Sequence, residues 1–210
     1  MEILNQIVEK VEKGKAAEVK ELTQRALDQK ISASDILNQG LVKGMESIGV
    51  KFKNNEVFIP EVLIAARAMK SGMELIKPLL IAQKIKAKGR VAVATVKGDL
   101  HDIGKNIVVM MLEGAGFEVI DLGIDCSKEK FVETAQKEKP DVIGMSALLT
   151  TTMVYMKEVI EAFQSAAYKP KIIIGGAPIT QSYADEIKAD GYAADAASAV
   201  DLVKKLLNVS

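Results

Sequence analysis

The chain has 210 residues, 49% of them hydrophobic, with 28 basic side chains balanced by 28 acidic ones. That length supports one substantial core and a smaller second one, and the balanced charge argues against nucleic acid as a partner. No apolar run approaches a membrane span, the N-terminus lacks the basic then apolar pattern of a signal peptide, and the single cysteine, Cys126, cannot close an internal disulfide. A soluble, cytoplasmic protein is expected.

Residues 1–88 read as helix throughout. Leu4, Ile7, Val8 and Val11 make one apolar stripe, Val19, Leu22 and Ala26 a second, and Leu37, Leu41, Met45, Ile48 and Phe52 a third. Ser34 is expected to cap the third helix and Asn54-Asn55 to end it. Pro60 opens a fourth helix, which carries Ile59, Val62, Leu63, Ala66, Met69, Met73 and Ile76 along one side. These lengths and short connections suit a four-helix bundle. Met45, Met69 and Met73 have two readings: filler of an irregular core, or, with Phe52 or Phe58, an outward apolar face for a flat ligand.

The lysine-rich run Lys84 to Lys88 leads to a domain boundary at Gly89-Arg90. Beyond it the pattern alternates strand and helix five times, which implies an α/β domain with a doubly wound, flavodoxin-like parallel sheet. Strands are expected at 90–96, 117–121, 141–146, 171–175 and near Tyr192, and helices at 103–114, 128–137, 152–166, 181–188 and 196–207. With strand order 2-1-3-4-5, the topological switch point falls between strands 1 and 3, and such folds bind ligands there, at the carboxyl ends of the strands.

The loop after the first strand holds His101, the only histidine in the chain. Asp99 stands two residues before it. A carboxylate that accepts one imidazole N–H fixes the tautomer and makes the other nitrogen a better ligand. One histidine cannot build an ordinary zinc or iron site, which takes three or four protein ligands, but it can supply one axial ligand to a metal already held in a macrocycle. The loop after the third strand reads Ser146-Ala147-Leu148-Leu149-Thr150-Thr151-Thr152, and its threonines also suit a helix N-cap. Gly175-Gly176 follow the fourth strand, either as a tight turn or as a slot left by missing side chains. Asp102 suits the first turn of a helix. His-Asp-Ile-Gly-Lys also looks like a piece of the His-Asp phosphohydrolase motif, yet that chemistry needs further histidines, and no nucleotide-binding fingerprint is present.

Asp-x-His-x-x-Gly as Asp99, His101 and Gly104, then Ser-x-Leu as Ser146 and Leu148, then Gly-Gly as Gly175 and Gly176, resembles the signature of cobalamin-binding domains in both order and spacing. With the helical region included, the resemblance covers nearly the whole chain. It is closest to the small corrinoid proteins of methanol, methylamine, glycine betaine and aryl methyl ether methyltransferase systems, and it extends to the cap and cobalamin domains of cobalamin-dependent methionine synthase. It implies a helical cap over residues 1–88, lying on the upper face of the corrin, and a cobalamin-binding Rossmann-like domain over residues 89–210.

On that resemblance His101 is the axial cobalt ligand, and Asp99 and Thr152 handle the proton exchanged when it binds and leaves cobalt. Gly98, Asp102, Ile103 and Gly104 join them in holding the cofactor. Ser146, Leu148, Thr150 and Thr151 do the same from the second loop, and the displaced nucleotide tail lies against Gly175 and Gly176, with Ala177, Tyr192 and Asp195 completing the set. The function implied is a methyl carrier without a complete active site of its own. A substrate-specific methyltransferase loads Co(I), an acceptor-side methyltransferase passes the group from methyl-Co(III) to tetrahydrofolate or a thiol coenzyme, and a reductive activase restores oxidised cobalt. Different partners need access to the upper face, so a hinge between residues 80 and 90 is expected.

Three other readings compete. The cobalamin-binding subunit of a mutase would need a barrel domain or a large partner, and no such cap. A cobalamin-dependent sensor or regulator would carry a DNA-binding segment ahead of the cap, where this sequence begins with its first helix. A corrinoid-free flavodoxin-like signalling domain would leave three matching motifs unexplained.

Overall fold

The amphipathic stripes of the N-terminal region form α1 (Glu2–Glu12), α2 (Ala16–Asp28), α3 (Ala33–Asp35), a π-helical stretch (Ile36–Val42), α4 (Lys43–Lys53) and α5 (Ile59–Ala82). These are seen in a computed structural model that describes residues 2–83 and 87–209. The sequence suggests one regular third helix capped by Ser34. Instead α3, the π stretch and α4 run on from one another, and the cap is Ser32, whose hydroxyl accepts the Asp35 N–H at 3.0 Å. Ser32 is extended and can present its oxygen to the first turn, whereas Ser34 is already helical and receives the Asn38 side-chain amide at 3.3 Å. The π stretch coincides with close passage beside α1: a Cβ at Gly40 would meet Ile7 at 3.2 Å, and one at Gly44 would meet Val11 at 2.7 Å.

Pro60 stands in the first turn of α5, and Glu61 accepts the Phe58 N–H at 3.0 Å. The helix tolerates Pro78 further along. Ile7, Val19, Ile36, Leu41, Ile48, Val62 and Ile76 form the core of the helical unit, and Met45 and Met69 are buried with them. For these two methionines the core-filling reading is the correct one. Met73 and Phe52 are half-buried, and Phe58 is exposed.

Beyond the helical region the chain contains β1 (Arg90–Thr95), α6 (Ile103–Gly114), β2 (Glu118–Asp121), α7 (Lys128–Glu138), β3 (Val142–Ser146), α8 (Thr150–Met153), α9 (Tyr155–Gln164), β4 (Lys171–Gly175), α10 (Gln181–Ile187), β5 (Gly191–Ala193) and α11 (Ala196–Leu207). Its sheet is parallel throughout with order β2-β1-β3-β4-β5, so the fold is the helical region followed by the doubly wound sheet that the sequence implies. Both faces of β1 are buried, Ala92 and Ala94 on one side and Val91 and Val93 on the other, which is why its sequence is continuously apolar rather than alternating. Phe131 of α7 and Met156 of α9 are fully buried against the first of these faces. By residue grouping the units are Met1–Ala87 with Met110–Gly116, and Lys88–Val109 with Phe117–Ser210. Part of the lysine run and of the expected hinge falls on residues 84–86, outside the described residues.

Candidate functional site

One register row crosses the carboxyl edge of the sheet. Thr95 of β1 pairs with Ser146 of β3, Ser146 with Gly175 of β4, and Gly175 with Ala193 of β5. The three motifs separated in sequence therefore leave the sheet side by side, and the loops that follow Thr95 and Ser146 meet at the switch point.

Asp99 is the junction. It is fully buried, and both of its oxygens are occupied. Oδ1 accepts the backbone N–H of His101 at 3.1 Å and lies 2.9 Å from His101 Nδ1, while Oδ2 accepts the Leu148 N–H at 2.8 Å and the Thr152 hydroxyl at 2.7 Å. Burial by itself pushes this carboxyl's pKa up. The donors from Thr152, Leu148 and His101 outweigh burial and hold it well below the usual carboxylate range. Asp99 is thus a buried anion, and an anion can only accept, so Nδ1 carries a proton, which in the neutral imidazole leaves the lone pair on Nε2. The His101 side chain is 53% exposed, which leaves Nε2 open.

The rest of the loop is held by backbone clips. The Thr95 hydroxyl donates to the His101 carbonyl at 2.8 Å. Asp125 takes the Gly98 N–H at 2.7 Å and returns its own N–H to the Asp99 carbonyl at 3.1 Å. Gly98 has a φ of +82°, a conformation that suits glycine. Neither Thr95 nor Asp125 stands out in the sequence, because their roles depend on pairings that only the fold creates.

Large apolar side chains are exposed on the two loops that meet at the imidazole. Leu100 and Ile103 are 68% and 70% exposed, and Leu148 and Leu149 are exposed from the neighbouring loop. A Cβ built on Gly104, one residue into α6, would meet nothing within 4 Å beyond its chain neighbours and the backbone of α6 itself. A helical glycine that no neighbour requires, beside exposed leucine and isoleucine and one outward nitrogen, fits a flat, largely apolar group that brings its own equatorial ligands. Among the described residues, no three His, Cys, Asp or Glu side chains come together to hold a metal ion.

The other expected contacts are distributed unevenly. Asp102, Thr150, Thr151 and Ala177 are exposed, and Ser146 and Tyr192 are half-buried. Asp195 is the N-cap of α11, accepting the Ser198 N–H at 2.8 Å and its hydroxyl at 3.0 Å. At the two glycines, for which the sequence offers a tight turn or a slot, the fold adds a close approach of backbone. A Cβ on Gly175 would lie 2.8 Å from the Ala193 carbonyl oxygen and one on Gly176 1.9 Å from that of Ala147, with φ +129° at Gly176. The space a side chain would take is filled by the protein's own backbone. Cys126 is buried, and burial pushes its thiol up to about 11.

Residues 89–201 match the family described as the B12 binding domain, and residues 3–77 match a second family described in the same words. The chain belongs to the B12-binding proteins. This B12-binding chain is 42% identical over 212 residues to a corrinoid protein of Desulfitobacterium hafniense (strain Y51), covering 99% of this chain and 98% of that one. It is 44% identical over 193 residues to the trimethylamine corrinoid protein of Methanosarcina barkeri, covering 90% of this chain and 89% of that one. The crystal structure of the methanol:cobalamin methyltransferase complex MtaBC from Methanosarcina barkeri superposes with a TM-score of 0.89 at 31% identity, covering 100% of this chain and 81% of that chain. The cofactor is cobalamin or a related corrinoid. Among the described residues, no helix is long and apolar enough to cross a membrane.

Proposed function

We propose that this chain is a corrinoid methyl carrier, with His101 as the axial cobalt ligand and Asp99 and Thr152 as the groups that govern its proton. The observation that carries this reading is the buried Asp99 carboxylate 2.9 Å from Nδ1 of a histidine whose other nitrogen is open. Bound in the site, the corrinoid supplies a cobalt that accepts a methyl group and gives it up again.

The chain's own residues bind, orient and hold a proton. Asp99 fixes the Nδ1–H tautomer and raises the donor strength of Nε2. The Thr152 hydroxyl has one hydrogen and two acceptors in reach, Asp99 Oδ2 at 2.7 Å and the Leu149 carbonyl at 3.0 Å. While Asp99 is ionised that hydrogen belongs to Asp99. A proton that enters the Asp99–His101 pair rests on the imidazole, while Thr152 and the Leu148 N–H go on donating to Asp99 and keep it the anion that stabilises that proton, so the site takes up a proton without backbone movement. Gly98, Asp102, Ile103 and Gly104 on the first loop and Ser146, Leu148, Thr150 and Thr151 on the second are its cofactor contacts, with Gly175, Gly176, Ala177, Tyr192 and Asp195 toward the tail. Residues 1–88 serve as the cap.

A methyltransferase specific for a methylamine or methanol loads the carrier, an acceptor-side methyltransferase unloads it, and a reductive activase rescues oxidised cobalt. The similarity to trimethylamine and dimethylamine corrinoid proteins supports a methylated amine as the donor class. The test is to reconstitute the protein with cobalamin, reduce it, and add each amine or methanol with its methyltransferase while following the visible spectrum. Methylation by at least one pair supports the carrier reading, and a holoprotein that none of them methylates contradicts it.

A further inference from the structure

Five consecutive residues, Leu100 to Gly104, are exposed, and His101 is the second of them. The residues on either side are buried and oppositely charged: Asp99 is fully buried and Lys105 is 3% exposed. The histidine-bearing segment is therefore strung between two buried ionic anchors, of which the proton chemistry above uses only one.

Lysine is almost never buried to this degree without partners, and Lys105 has a full set. Nζ donates to Asp121 Oδ1 and Oδ2 at 2.7 and 2.6 Å and to Asn106 Oδ1 at 2.7 Å, which uses all three hydrogens. Asp121 ends β2 and also accepts the Gly123 N–H at 2.9 Å. Asn106 passes its amide hydrogen to Asp102 at 3.2 Å. From Gly123 the network returns to the site, because the Gly123 carbonyl accepts the Thr95 N–H and the Thr95 hydroxyl holds the His101 carbonyl. An apolar side chain at 105 would fill the space with no desolvation penalty but would leave the start of α6 without a fixed tie to β2.

We propose that Lys105 is a positioning residue for His101: its ion pair with Asp121 pins the far end of the exposed segment and sets where the imidazole stands. The inference rests on His101 as the axial ligand, and its structural half is readable without any cofactor. Asp121 has a partly exposed side chain, so loss of its partner leaves a carboxylate that water can reach and a protein that folds.

The experiment compares wild type with Lys105→Met, Lys105→Arg and Asp121→Asn. In the apoprotein, amide exchange at His101 should speed up roughly tenfold in Lys105→Met and Asp121→Asn while the β3 amides keep their protection. In the cobalamin-loaded Co(II) form, labelled with nitrogen-15 histidine, both variants should retain cobalamin, and the ratio of His101-bound to unbound cobalt should fall by a similar factor. Lys105→Arg should recover part of each effect. Unchanged exchange and an unchanged ratio overturn the proposal, and so does equal loss of protection in β3, which would make Lys105 a residue of global stability. A wild type without coupling to histidine nitrogen refutes the ligand reading instead, and the apoprotein exchange then decides the role of Lys105 by itself.

Discussion

Oδ1 of Asp99 accepts two hydrogen bonds from a single residue, the backbone N–H of His101 at 3.1 Å and its ring Nδ1 at 2.9 Å. One carboxylate oxygen thus fixes both the start of the His101 backbone and the orientation of its ring. Asp99→Asn keeps an oxygen for that task but places an amide against the Leu148 N–H and the Thr152 hydroxyl. We expect a loss of about 1–3 kcal/mol in the apoprotein, measured by urea unfolding at pH 7.

The same carboxylate sets a pH dependence. Burial raises its pKa, and the donors from Thr152, Leu148 and His101 more than offset that, so the folded value lies below the unfolded one. Its stabilising contribution is fully present above the unfolded carboxylate value, about 3.9, and is lost as pH falls through the folded value. The stability gap between wild type and Asp99→Asn should therefore be widest near neutrality and narrow below about pH 4. A gap that stays constant down to acid unfolding would show that Asp99 is not an anion in the folded protein.

Thr152 separates hydrogen bonding from packing. Thr152→Ser keeps the hydroxyl that meets Asp99 at 2.7 Å, and Thr152→Ala removes it. The alanine variant should lose about 1–2 kcal/mol and the serine variant under 1 kcal/mol. In the loaded protein, the pH dependence of the Co(II)/Co(I) midpoint potential should weaken in Thr152→Ala and weaken further in Asp99→Asn. Equal behaviour of the alanine and serine variants would remove the hydroxyl from the proton chemistry.

Two glycines should respond in opposite ways. At Gly176 an added Cβ meets the Ala147 carbonyl at 1.9 Å, so Gly176→Ala should destabilise the apoprotein by about 2 kcal/mol or more. At Gly104 nothing lies within 4 Å beyond its chain neighbours and the backbone of α6 itself, so Gly104→Ala should leave the apoprotein unharmed or more stable by about 0.5–1 kcal/mol, as expected for a helical position. Cobalamin affinity should nevertheless fall in Gly104→Ala, because the open space beside it is where the cofactor is expected to lie. Thermal melts and a binding titration on the two variants check both statements.

Much of the fold is written locally. The run Lys171–Gly175 and the helix Ala196–Leu207 stand where the apolar patterns put them, because β-branched runs and 3.6-residue periodicity are properties of neighbouring residues. Alternation of strand and helix implies a parallel sheet, while its order is set by the pairings of the folded chain, and the place of His101 at a strand's carboxyl end follows from the parallel sheet. The π stretch and the cap at Ser32 rather than Ser34 are not legible in the same way: the first coincides with the passage of α1 beside Gly40 and Gly44, and the second depends on where the backbone turns from extended to helical. Nothing in the sequence singles out Lys105, because its partner Asp121, sixteen residues further on, is brought to it only by β2. The glycine pair was visible but its cause was not, because the crowding atom is a carbonyl from another loop.

Electron paramagnetic resonance of the cobalamin-loaded protein in the Co(II) form, with nitrogen-15 histidine as the only label, tests His101 as the axial ligand most directly. The chain has a single histidine, so any coupling to the label reports on His101 alone. The expected result is an axial hyperfine pattern that changes with the isotope and disappears in His101→Ala. A pattern unchanged by the label would assign the axial nitrogen to the cofactor's own base and contradict His101 as the ligand.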